Sequence, residues 1–157
     1  MHDFFSKLGH YKRQVVWLPI FVTRIGIGIF FILSGFFKLF DAEQHEKLLK
    51  TMISANIPFP EFNSYFVPLI ELLGGALILI GLLTSLSALV LLIVMVTAIV
   101  TERIAAVAMH GGLLLVENFF YLPEVLYALI FFWLFFSGPG KVSFDYVIGK
   151  KKRMSSY

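Results

Sequence analysis

Four stretches of the chain, residues 16–37, 65–83, 86–106 and 122–137, are apolar with scarcely a polar interruption. An α-helix rises about 1.5 Å per residue, so roughly 20 such residues cross a hydrocarbon layer about 30 Å thick. Each run is therefore read as a transmembrane helix. In the first, "VWLPIFVTRIGIGIFFILSGFF", Pro19 lies in the opening turn, where proline is tolerated. The last is closed by Gly138-Pro139-Gly140. "LTSLS", between the second and third runs, is a tight uncharged turn that makes those helices antiparallel neighbours.

Between the first two runs the pattern changes. Asp41 with Gln44 three residues later has the spacing of a capping box. Leu48, Leu49, Met52 and Ile53 then share one helical face, with Glu43, Glu46, Lys47 and Lys50 mostly off it. This predicts a short amphipathic helix from Asp41 to Asn56 lying on the outer membrane surface, ended by Pro58 and Pro60. "AVAMHGGLLLVENFFYLP", before the fourth run, is long and still apolar, with a break at Gly111-Gly112. It either extends the third span or folds as an interfacial lid. The expected architecture is all-α: an integral membrane four-helix bundle with one amphipathic surface helix, built from residues 1–157 as a single membrane domain.

Composition strengthens this reading. Hydrophobic residues make up 59% of the chain and charged residues 15%, with a mean hydropathy of +0.86; soluble domains run at about 45–50% and about 25%. The basic residues gather at the ends. Lys7, Lys12, Arg13, Lys141, Lys150, Lys151, Lys152 and Arg153 flank the spans on one side, against Lys38, Lys47, Lys50 and Arg103 in the two long loops. The positive-inside rule puts both termini in the cytoplasm of a multi-pass plasma-membrane protein. The net charge of +3 is then a matter of orientation, and no nucleic-acid partner is expected. With no cysteine, disulfides, thiolate metal sites and iron–sulfur clusters within the chain are excluded. No nucleotide-binding, dinucleotide, HExxH or hydrolase-elbow motif occurs, so catalytic residues stay unassigned. His2, His10 and His45 are too scattered to form a site with His110, and no metal is expected.

The candidate chemistry lies in polar residues within the spans. Arg24, Gly28, Phe31, Gly35 and Lys38 form one helical stripe. Glu71, Gly74, Gly75 and Ile78 form another, with Gly81 beside them. The third span offers Met95, Ala98 and Glu102, and the fourth Glu124, Tyr127, Ala128 and Phe131. Small residues admit a neighbouring helix closely. A charge at the membrane centre costs about 2.5–3.5 kcal/mol on insertion scales, so Arg24, Lys38, Glu71, Glu102 and Glu124 are expected to face the interior. Arg24 is the expected partner of Glu71, with Lys38 in reserve. Such a network either binds a ligand or only registers the helices.

"TRIGIGIFFILSGFFKLF", "IPFPEF", "PLIELLGGALILIGLL" and "SGPGKVSFD" together resemble the DoxX family of small four-helix membrane proteins, from about Arg24 to Asp145. The matching positions are Arg24, Phe30, Ser34, Gly35, Lys38 and Leu39; Glu71, Gly74, Gly75 and Gly81; Glu124; and Gly138, Pro139, Gly140, Ser143 and Asp145. The loop after the third span departs from the family pattern, with its histidine at His110. The resemblance implies a bacterial inner-membrane location and a link to membrane redox or stress-defence systems. Two functions are expected to compete. One is an accessory subunit that contacts quinone, with no built-in cofactor, and works with a protein partner or as a homo-oligomer. The other is a non-enzymatic membrane partner or small-solute conduit whose charges register the helices.

Overall fold

The computed structural model describes residues 17–103 and 113–148, apart from the side chains of residues 102, 103 and 113–115. All the regular structure of these residues is helical: α1 (Trp17–Phe40), α2 (Ala42–Ser54), α3 (Pro60–Ile80), α4 (Thr84–Ala98), α5 (Leu113–Phe120) and α6 (Pro123–Ser137). Among them, three apolar helices are long enough to cross a membrane: α1, α3, and α4 with its continuation to Thr101. The fourth, α6, is a shorter apolar helix of 15 residues. Helix α1 therefore runs three residues beyond the apolar stretch, and α3 starts five residues before its own, with Pro60 in its first turn.

Glycine positions α1 against α3. A Cβ added at Gly35 would lie 2.5 Å from the Pro68 carbonyl oxygen and 2.6 Å from the Leu72 amide nitrogen. At Gly28 and Gly75 each added Cβ would meet the facing helix at about 2.9 Å. The helices thus touch backbone to backbone. Gly35→Ala should destabilise by about 1–3 kcal/mol, because a backbone cannot rotate aside as a side chain can. Gly26, with open space around it, is the matched control. Gly26→Ala should be neutral or slightly stabilising, as alanine is the better helix former. Thermal unfolding of the two variants in detergent separates them.

Around this pair α3 packs on α4, and α4 on α6. Phe31 of α1 closes the circuit, its ring 4.9 Å from Phe131 and 5.5 Å from Tyr127 on α6. Ile27, Phe31, Ile78, Ala88, Leu91, Phe131 and Leu134 form one buried cluster. That cluster fills the half of the molecule near the α3–α4 turn.

Helix α4 continues as a π-helical turn, Ile99–Arg103. A π turn widens the helix and shifts the register of the residues after it. Glu102, one of the expected site residues, belongs to this turn. The side chain of Glu102 lies outside the described residues, as do His110 and both basic tails except Lys141.

Helix α2 forms where the capping pattern placed it. The Asp41 carboxylate accepts hydrogen bonds from the backbone N–H groups of Glu43 and Gln44. On its exposed face Lys50 lies 2.6 Å from Glu46. That hydrogen bond, and then the charge behind it, holds the Glu46 carboxyl below its ordinary range. The apolar face is divided, with Ile53 56% exposed. Met52 is 4% exposed, and Leu48 is turned the same way. Both cover a hollow between α2, α3 and α4.

Candidate functional site

Two separate polar centres occupy the ends of the α1–α3 pair. The first is the Lys38–Glu71 ion pair. The Lys38 ammonium donates to both carboxylate oxygens of Glu71, at 2.9 and 2.7 Å. The Ser34 hydroxyl donates to Oε2 at 3.3 Å. Glu71 is 3% exposed, while the Lys38 side chain is 31% exposed. Both carboxylate oxygens are occupied, so the group still presented to the surroundings is an ammonium N–H.

The expected Arg24–Glu71 pair is not formed. Arg24 is 1% exposed and directs its donors to four backbone carbonyls. Nε donates to Ile78 at 2.9 Å and one terminal nitrogen to Leu79 at 3.2 Å. The other terminal nitrogen donates to Pro139 at 2.7 Å and Val142 at 2.8 Å. Ile78 and Leu79 end α3, where unpaired carbonyls and the negative end of the helix dipole collect. The buried cation thus makes its direct hydrogen bonds to oriented carbonyls, and the nearby Asp145 carboxylate adds a coulombic attraction. Antiparallel packing sets the levels: Lys38, near the end of α1, faces Glu71, and Arg24, fourteen residues earlier, faces the end of α3.

This second centre is a clasp. Gly81 and Leu83 turn the chain from α3 to α4 at positive φ, 74° and 50°. A Cβ on Gly81 would collide with the Arg24 guanidinium and with Ser143. The Asp145 carboxylate receives the N–H groups of Leu83 and Thr84 at 2.9 and 3.0 Å, so it caps α4 from 62 and 61 residues away. Its own N–H donates to the Gly81 carbonyl. Ser143 accepts from the Tyr146 N–H and donates to the Gly140 carbonyl. The Gly138–Asp145 stretch, which reads in sequence as a helix stop, is structurally the piece that Arg24 ties to the α3–α4 turn.

The Lys38–Glu71 pair borders a cavity of about 650 Å³. Leu48, Thr51 and Met52 of α2 roof it, and Phe66, Val67 and Ile70 of α3 and Val90, Ile93, Val94 and Met95 of α4 form its apolar walls. Gln44, Lys47, Asn63, Thr101 and Glu124 are its polar lining. No residue of the Arg24 clasp reaches it. Of the expected site residues, the structure therefore brings Lys38, Glu71 and Glu124 to one hollow and places Arg24 elsewhere. Gly74 lies against Leu91 in the α3–α4 contact.

Sequence reading missed His45. Its Nδ1 lies 3.0 Å from the Lys38 carbonyl, its Nε2 3.4 Å from the Ser64 hydroxyl, and its ring 4.2 Å from that of Tyr65. It pins the first turn of α2 over the α1 terminus. Its place on the same helical face as Leu48, Leu49 and Met52 was the available signal, but its partner is a main-chain carbonyl, which a sequence does not display. Among the described residues no group of three or more His, Asp or Glu side chains is placed to hold a metal ion.

Apolar helices of spanning length, with ionised groups turned inward, define a polytopic α-helical membrane protein. Residues 20–110 match the DoxX family model, and the chain belongs to the DoxX family. It is also 33% identical over 139 residues to an uncharacterized membrane protein of Mycobacterium tuberculosis, covering 84% of this chain and 82% of that one. No solved structure matches.

Proposed function

We propose that this chain is a four-span bundle of the bacterial inner membrane, with both termini cytoplasmic, that binds a lipophilic ligand in its outer half. It serves as a non-catalytic accessory subunit of a membrane redox or stress-defence system, and quinone is the ligand. The observation that carries this reading is the one-sidedness of the cavity. About 650 Å³ lies within the range of small-molecule sites, and its walls are mostly apolar with a few polar groups. Its path towards the other face is blocked by the Ile78, Leu91 and Phe131 cluster, each 0% exposed, and then by the clasp. A blind pocket suits a binding protein better than a conduit. The free N–H of Lys38 offers a hydrogen bond to a quinone oxygen. With no cysteine in the chain, thiol or iron–sulfur chemistry would come from a partner subunit.

Quinone extracted from protein purified out of native membranes, and quantified by mass spectrometry, tests this. Wild type should carry quinone near one per chain. Met52→Trp, which fills the roof, and Lys38→Met, which removes the donor, should carry little. Quinone-free wild-type protein would sink the reading, and solute flux through proteoliposomes would favour the conduit.

A further inference from the structure

The clasp also orients the chain beyond it. Ser143 and Asp145 point inward and are held by the bonds described above, so the residues between and after them face out. Val142, Phe144, Val147 and Ile148 are 46–63% exposed. The backbone is helical at residues 144–148, which sets Phe144, Val147 and Ile148 on adjoining positions. This apolar patch continues the exposed apolar surface of the neighbouring helix ends, where Leu83 is 53% and Phe136 71% exposed. Basic residues flank it: Lys141 is exposed before it, and by sequence Lys150, Lys151, Lys152 and Arg153 come after. The only acidic residue from Gly138 to Tyr157 is Asp145, and its carboxylate is occupied at the α4 terminus. The opposite end of the molecule differs, with Asp41, Glu43, Glu46 and Glu61 exposed among its lysines.

We infer that residues 141–148 form a docking surface for anionic phospholipid in the leaflet this end faces, with Phe144, Val147 and Ile148 among the acyl chains and Lys141 at the phosphates, and that the basic charge following in sequence adds to the attraction. Apolar residues beside a basic cluster at a membrane boundary combine the two attractions that hold such segments: burial of apolar area and charge. The clasp supplies the third element by fixing which side chains face outward. This surface is distinct from the outer-half cavity and does not depend on what that cavity binds.

Native mass spectrometry of the full chain, released from micelles with equal phosphatidylglycerol and phosphatidylcholine, reads out the retained lipid. Wild type should retain phosphatidylglycerol preferentially, and added salt should erode the preference. The combined K150Q/K151Q/K152Q/R153Q change lies outside the clasp and should leave the melting temperature in phosphatidylcholine unchanged. Each basic residue near an anionic surface contributes roughly a fivefold preference, so the variant should lose at least about tenfold. Equal retention of both lipids by wild type, a salt-independent preference, or an unchanged ratio in the variant overturns the proposal. A nitroxide on Phe144→Cys, the only cysteine in that chain, should be reached by oxygen rather than by a water-soluble quencher. The reverse result, or protection only when another membrane protein is present, places a protein or water there and overturns it as well.

Discussion

Arg24→Leu should abolish most of the folded yield. The change removes four hydrogen bonds from a charged donor at a site 1% exposed to solvent, leaving the carbonyls of Ile78, Leu79, Pro139 and Val142 to find other partners. Hydrogen bonds to charged groups contribute about 1.5–3 kcal/mol each, and buried groups left unsatisfied cost about 1–3 kcal/mol. These terms do not add fully, but a loss above about 4 kcal/mol is expected, which is a large part of a typical domain's stability. Arg24→Lys should rescue only partly, since an ammonium lacks the planar fork that reaches two stretches of carbonyls at once. Size-exclusion profiles and melting temperatures in mild detergent measure both. Combining Arg24→Leu with Glu71→Gln should give no recovery, because the two groups belong to different centres. Recovery in the double variant would restore the direct pairing that spacing alone suggested.

The second large effect belongs to the Lys38–Glu71 pair. Lys38→Met leaves a carboxylate with 4% side-chain exposure and only the Ser34 hydroxyl to satisfy it. Breaking one side of a buried pair costs about 3–5 kcal/mol. Lys38 is 31% exposed, so screening places the loss near the lower end, about 3 kcal/mol. Glu71→Gln should cost less, because an amide still accepts from Lys38. Lys38→Met with Glu71→Met should fold better than Lys38→Met alone, since no isolated charge is left behind. Bound quinone separates structure from function. If the double variant regains its melting temperature and still lacks ligand, the pair serves the cavity. If ligand returns with stability, the pair only registers α1 on α3.

The contrast between these centres shows what the sequence made legible. Stripe spacing in α1 groups Arg24, Gly28, Phe31 and Gly35, and those residues are all buried. The N-terminal cap of α2 was readable because Asp41 acts within three residues of itself. The Arg24 partner was not, because formal charges are visible in a sequence and backbone carbonyls are not. The expected pairing of Arg24 with Glu71 left out the negative end of α3 as a competitor. Asp145 was opaque for a related reason: it caps a helix start 61 residues away, at Thr84, and no local motif marks such a contact. The π turn after Ala98 carried no signature either.

The hollow and the clasp lie at opposite ends of the same helices, and this has a mechanical consequence. Near Ile78 and Leu79, α3 is bolted to the rest of the chain, whereas near Val67 and Ile70 it borders space. Sub-global openings begin where apolar contacts are fewest. One continuous helix then has a stiff end and a compliant one. The end that borders the cavity has room to yield, while the other keeps the chain's connectivity in register. Conformational breathing is then expected mainly in the half that holds the cavity, with the clasped half unchanged.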